Sequence, residues 1–221
     1  FTEPWLGGKK PNALNFGIYH SIQTNGISIK EDGKYDSSGN VTERQHIKIS
    51  GVSVGLGKRL VWPDDYFVLY HNMSFQHYDV KNFSSFAFNT GYSNNVSYSI
   101  TLSRNSVDAP IYPRIGSDIS ISCQATPPYS FFNALDYAQA TDQQKFKWLE
   151  YHKWKFNSSF FTRLAGNLVL NTRTRFGFLG LYNRQIGLSP FERFYLGGDG
   201  LTGFSLDGRE YIGMRGYSNN S

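Results

Sequence analysis

The stretch from Phe191 to Tyr217, FERFYLGGDGLTGFSLDGREYIGMRGY, holds the densest collection of groups able to do chemistry: Glu192, Arg193, Asp199, Asp207, Arg209, Glu210 and Arg215, interleaved with aromatics and glycines. It lacks apolar alternation of strand length, so it reads as a long loop. Such loops in compact domains are functional or disordered, and disordered segments are poor in the aromatics that this one keeps supplying. Its close, Arg215-Gly216-Tyr217, sets a guanidinium fork beside a residue with free backbone dihedrals and then an aromatic anchor. That combination suits a loop tip held inside a cavity, where the arginine makes fixed, directional bonds. The alternative is a solvated hairpin tip with an incidental arginine.

Elsewhere the reactive types are scattered. His71 and His77 share a parity, six residues apart in one predicted strand. They are too distant to grip one metal as neighbours and have no matching cysteine, so rim positions suit them and no metal site is expected. Glu150, His152 and Ser158 have the residue types of a hydrolase triad, but no nucleophile elbow accompanies them; neither enzymatic activity nor a cofactor is expected. The lone Cys123 excludes an internal disulfide framework and reads as a small apolar residue.

The elements that must position these groups emerge from composition and period. Of 221 residues, 39% are hydrophobic and 18% charged, while the 17% aromatic share is high. The net charge of +5 is dispersed along the chain, which leaves no nucleic-acid footprint. No run approaches the roughly 18 apolar residues of a membrane helix. The mean hydropathy of −0.43 has a soluble look, yet a membrane barrel hides its lipid face in alternation, which averaging erases. No signal peptide is recognised, and the start at Phe1 without methionine suggests a processed or partial polypeptide.

Alternation recurs along the chain. Leu14, Phe16 and Ile18 alternate with polar or small residues, as a strand does. In His46 to Leu60 the apolar parity switches between Ile47/Ile49 and Val52/Val54/Leu56, and a bulge near Ser50-Gly51 would keep all five on one face. Tyr66 to Tyr78 opposes Phe67, Leu69, Met73 and Phe75 to Asn72, Ser74 and Gln76. Val96, Tyr98, Ile100 and Leu102 alternate without fault with Ser97, Ser99, Thr101 and Ser103, and Ile119, Ile121 and Cys123 do so with Ser120, Ser122 and Gln124. A strand over Phe146 to Phe156 is expected with Lys147, Lys153 and Lys155 on its polar face, and Leu168 to Leu179 sets Leu168, Leu170, Phe176 and Phe178 against Asn171, Arg173 and Arg175.

Long polar connections (Thr24 to Gln45, Asp79 to Asn95, Pro127 to Gln144 and the final stretch) take turns with short ones. This is the asymmetry of an outer-membrane barrel with long outer loops and short periplasmic turns. A soluble sandwich also alternates, but it does not explain the rhythm. The expected fold class is therefore all-β, an antiparallel transmembrane β-barrel. About seven full strands are visible, whereas a closed bacterial barrel needs an even number of at least eight, and an open edge in lipid costs several kcal/mol per unpaired group. The barrel is thus expected to be only partly present, with strands before Phe1 and after Ser221.

Several stretches resemble, in order, the barrel domain of the BamA family of outer-membrane protein assembly factors, particularly its Bacteroidota-type members. They are EPWLGGKKPN (Glu3 to Asn12), VGLGKRLVWPDDYF (Val54 to Phe67), YPRIGSDISIS (Tyr112 to Ser122), LEYHKWKF (Leu149 to Phe156), TRTRFGFLG (Thr172 to Gly180), and FERFYLGGDGLTGF through MRGY (Phe191 to Tyr217). The resemblance implies a barrel of about 16 strands, an even count of the kind such barrels have. Residues 1–221 would be part of it, ending within the long outer loop 180–221, with the POTRA domains and closing strands outside this stretch.

By the same resemblance, the expected function is insertion and folding of β-barrel proteins into the bacterial outer membrane, as core subunit of the assembly machinery. The alternatives are an outer-membrane translocation pore of the TamA or two-partner secretion type, or a passive porin or receptor barrel. Implied partners are unfolded outer-membrane protein clients, accessory outer-membrane lipoproteins, periplasmic chaperones, and the lipid bilayer with its lipopolysaccharide. In the family the long loop folds into the lumen and carries an Arg-Gly-aromatic signature, matched by Arg215, Gly216 and Tyr217. A gap-free alignment would instead put LTGF (Leu201 to Phe204) there, with Thr202 for the arginine, so the residues between read as an insertion. The carboxylate partner of Arg215 would lie on wall strands after Ser221. Arg173 and Arg175 are candidate lumen-wall contacts for Asp199, Asp207 or Glu210, or else hydrated pore-lining residues.

Overall fold

A computed structural model of the protein describes residues 1–3, 12–24, 46–82, 88–133, 135–197, 210–213 and 216. Among the described residues, one sheet contains eight strands in chain order: β1 (Thr2–Glu3), β2 (Asn12–Thr24), β3 (His46–Arg59), β4 (Phe67–Lys81), β5 (Gly91–Asn105), β6 (Gly116–Ala125), β7 (His152–Ala165) and β8 (Leu168–Gly180). Each pairs antiparallel with the next in one meandering sheet. A 3₁₀ turn (Tyr129–Phe131) and a four-residue helix α1 (Asp142–Lys145) interrupt the β6–β7 connection. Two short strands, β9 (Phe194–Leu196) and β10 (Glu210–Ile212), pair parallel with each other in a separate small sheet.

Alternation in the sequence becomes two chemically distinct faces, because successive side chains of a strand point to opposite sides. On the outer face apolar side chains stand bare: Ile18 is 71% exposed, Met73 59% and Phe176 64%. On the inner face small polar groups bond across strands, as in Ser74 to Ser97 at 2.8 Å and Thr101 to Ser122 at 3.0 Å. Larger inner groups continue this network, with the Gln76 amide donating to the Tyr19 hydroxyl at 2.6 Å and the Gln124 amide to the Tyr151 hydroxyl at 2.8 Å. Tyr19 lies flat across Gly51, where a Cβ would come within 2.4 Å of the Tyr19 ring. An apolar face bare to its surroundings and a polar lining are what a bilayer outside and water inside require.

Toward the long connections the inner face changes character. Ile47, Ile49, Tyr78 and Val80 are buried there beneath Leu149, Tyr151, Ile186 and Phe191, forming a core. Phe191 stacks on Tyr78 with ring centroids 4.3 Å apart and meets Phe88 edge-on at 6.2 Å. This corrects the expected bulge at Ser50-Gly51. The register of β3 with both neighbours runs through those residues unbroken. The parity switch arises because Ile47 and Ile49 face inward to an apolar lid while Val52, Val54 and Leu56 face outward.

Two other boundaries differ from expectation. The β4–β5 connection is shorter than Asp79 to Asn95, because pairing continues to Lys81 and resumes at Gly91. The expected strand at Phe146 begins only at His152. Phe146, Leu149, Glu150 and Tyr151 are buried as lid residues instead, and Lys147 lies outside the strand, with its Nζ 5.9 Å from the Tyr92 ring centroid.

Candidate functional site: a loop clipped to the inner wall

After β8 the chain turns back over the inner face. Gly177 on β8 leaves room for the Phe194 ring, since a Cβ there would lie 2.8 Å from it. Two carboxylates on this returning chain meet two lysines on β7. Lys153 Nζ donates to Glu192 Oε2 at 3.1 Å and lies 2.8 Å from Glu210 Oε1, which Lys155 Nζ also approaches at 3.1 Å. The Lys153 ammonium also sits 4.9 Å from the Phe194 ring centroid, a cation–π distance. The side chains of Lys153 and Glu192 are 1% and 5% exposed. A charge that deep is tolerable only when paired and hydrogen-bonded, and losing one partner of such a pair typically costs about 3 to 5 kcal/mol.

The two glutamates come from different places along the loop. Glu192 precedes β9 and Glu210 opens β10, whose Cα partner is Phe194. Backbone bonds from Glu210 N to Arg193 O (2.9 Å) and from Gly197 N to Ile212 O (3.1 Å) tie the stems together. Lys153 therefore clips both. Burial pushes the Glu192 carboxyl above the usual glutamate range, against the opposing pull of Lys153. At Glu210 burial acts in the same upward direction, but bonds and charge from Lys153 and then Lys155 outweigh it, and its carboxyl titrates below the usual range.

Of the residues singled out by sequence, Glu210 is held by Lys153 and Lys155 rather than by Arg173 or Arg175. Those two arginines face inward and line a recess of about 420 Å³ with Asp118, Ser120, Asn157 and Ser159. Among the described residues neither is in an ion pair. Gly216 adopts φ 86°, in the left-handed region that favours glycine. Arg215 and Tyr217, together with Asp199, Thr202, Asp207 and Arg209, lie outside the described residues.

Sequence alone puts Lys153 and Lys155 on the polar face but does not pair them with Glu192 and Glu210. A signal for the pairing exists, because a lysine pointing inward among uncharged serines calls for a carboxylate. The remaining candidates do not converge. His71 Nδ1 bonds the Tyr98 hydroxyl at 2.7 Å on the outer face, and His77 Nδ1 bonds Asn94 at 2.8 Å. Glu150 is buried and accepts bonds from the backbone and hydroxyl of Ser130, while His152 accepts from the Trp154 indole at 3.1 Å. Ser158 lies about 20 Å along the strand from His152 at ~3.3 Å per residue. No cluster of three potential metal ligands occurs among the described residues.

Comparison with known proteins agrees with this architecture. The Omp85 superfamily domain matches residues 1–221. No curated protein matches the sequence. The fold is similar to that in the crystal structure of BamA from Haemophilus ducreyi lacking POTRA domains 1-3, with a TM-score of 0.63 and 18% identity over 100% of this chain. The chain spans 37% of that structure's length, so it corresponds to a portion of such a barrel. A bare apolar outer face, a polar lining, a sequential antiparallel meander and the whole-length match give one answer: the chain belongs to the Omp85 superfamily, as part of a bacterial outer-membrane β-barrel.

Proposed function

We propose that the protein inserts and folds β-barrel proteins in the bacterial outer membrane, as the core subunit of an assembly machinery, without covalent chemistry or a cofactor. The observation that carries this reading is the fixed stem of the returning loop. Glu210 is held to the wall by Lys153 and Lys155, and Glu210–Ile212 pairs with β9, which supports reading the stretch that follows as the family's lumen loop. The sheet is then a rigid scaffold, and the client adds strand by strand at an edge through backbone pairing, as in other β-augmentation. The partners of this reading are unfolded outer-membrane protein clients delivered by periplasmic chaperones, with accessory lipoproteins and the lipopolysaccharide-bearing bilayer around the barrel.

The test uses the full-length protein in liposomes with a urea-unfolded barrel client. Folding of the client well above the empty-liposome rate is expected, with a marked loss in Lys153→Ala and partial recovery in Lys153→Arg. A client folding rate no higher than that of empty liposomes would overturn the reading. Passage of a soluble passenger across the bilayer without client insertion would favour the translocation pore instead.

A further inference from the structure

The connection between β6 and β7 forms a pocket that the clip does not use. The 3₁₀ turn at Tyr129–Phe131 and helix α1 face each other across a recess of about 230 Å³. One side is aromatic: Tyr129 and Trp148 have ring centroids 5.1 Å apart at 41°, and Trp148 remains 38% exposed. Lys145 and Lys147 border the recess, and among the described residues neither has an ion-pair partner. Glu150, the nearby buried carboxylate, accepts from Ser130 on both oxygens, and among the described residues it forms no ion pair with either lysine. Leu135 and Tyr137 add to the lining, together with two carboxamides. Gln144 Oε1 accepts from Thr141 N at 3.0 Å, which leaves its amino group as a donor, whereas Asn133 accepts from Leu135 N at 3.2 Å and turns its amide toward the Tyr137 hydroxyl.

We infer that this pocket binds the phosphorylated sugar headgroup of an outer-leaflet glycolipid. An exposed aromatic face takes the C–H side of a sugar ring, the Gln144 amide donor reaches its hydroxyls, and two ammonium groups match phosphate oxygens. The volume admits about one ring, whereas drug-sized ligands occupy pockets of roughly 300 Å³ or more. Position selects a lipid as the source. Trp148 bridges Asn94 in the sheet, and Asn94 shares the outer face with Tyr92, over whose ring Lys147 is poised. The recess therefore lies at the rim of the lipid-facing surface. This placement rests on the proposed function and on reading the long connections as the barrel's outer loops.

Calorimetry on the full-length protein in detergent tests the assignment with three probes: deacylated lipopolysaccharide bearing its phosphates, the same glycan after phosphatase treatment, and inorganic phosphate. Lys145→Ala combined with Lys147→Ala should weaken the first by about tenfold or more, the scale of one lost charge-assisted bond, and phosphatase treatment should do the same to the wild type. Trp148→Ala should weaken both glycans. Heat-modifiable migration of each variant checks that the barrel is folded. Absence of binding by the folded wild type, unchanged affinity in the lysine double variant, or equal affinity for inorganic phosphate would each overturn the proposal. Orientation is tested separately by labelling Phe132→Cys on intact cells, Phe132 being 84% exposed on this connection. Glycan binding without labelling would place the pocket on the other side and remove the outer leaflet as its source.

Discussion

The two halves of the inner face are built from the same strands and have opposite chemistry. Along the middle of β4 to β6 it is a lattice of small hydroxyls and amides, with Ser74, Ser97, Thr101 and Ser122 bonded across neighbouring strands. Toward the long connections, β3 and β4 present Ile47, Ile49, Tyr78 and Val80 to a lid of Leu149, Tyr151, Ile186 and Phe191. The polarity of a barrel's interior is therefore a property of what covers it, position by position. Where water fills the channel the residues are polar, and where the chain folds back over the wall they are those of an ordinary protein core. The outer face changes along the same direction, from apolar side chains such as Val52, Met73 and Ile100 in the middle to Lys48, His77 and Asp79 toward the long connections, with Lys48 Nζ 4.0 Å from the Asp79 carboxylate.

Substitutions that affect one half and spare the other test this contrast. The largest effect is expected at Phe191, fully buried and stacked on Tyr78. Phe191→Ala should destabilise the full-length barrel by about 3 to 5 kcal/mol, measured as a shift in its urea midpoint. Phe176→Ala, on the bare outer face, should shift it far less, and equal shifts would mean that the lid is not a true core.

Next comes the face assignment itself. Ile121→Arg, which puts a charge on the lipid side, should cost about 2 to 4 kcal/mol if it sits near the bilayer midplane, against much less for Ser122→Arg on the inner side. Indistinguishable midpoints would break the inside–outside reading for β6. A smaller effect is expected from Gly51→Ala. The added methyl must displace the Tyr19 ring, and overpacking of this kind typically costs about 1 to 3 kcal/mol. Pairing it with Tyr19→Ala should recover part of the loss, and a double variant no better than the sum of the single ones would argue against direct contact.

The sequence is most legible where one rule acts alone. In the central parts of β5 and β6 serine, threonine and glutamine recur at every second residue, and the face assignment is immediate. Legibility fails where the returning chain changes the rule. Ile47 and Ile49 resemble a register error when inward positions are expected to be polar throughout. Phe146 to Tyr151 resembles a strand because buried lid residues are as apolar as lipid-facing ones. The clip is half visible, with Lys153 and Lys155 on the correct face and their glutamates in view. Pairing them needs the fold, since 39 residues separate Lys153 from Glu192, and no local pattern encodes so distant a contact.

Clipping both stems also has a consequence for how this loop can vary. Because Lys153 holds Glu192 on one side and Glu210 on the other, the two stems are fixed at positions that do not depend on how many residues join them. The entropy of closing a connecting segment grows only logarithmically, by about 0.6 kcal/mol per doubling. Residues can therefore be gained or lost between the two stems at little thermodynamic penalty, while Glu210–Ile212 keeps its place against Phe194–Leu196. Insertions and deletions between Leu196 and Glu210 are expected to be neutral far more often than equal changes between Glu210 and Gly216.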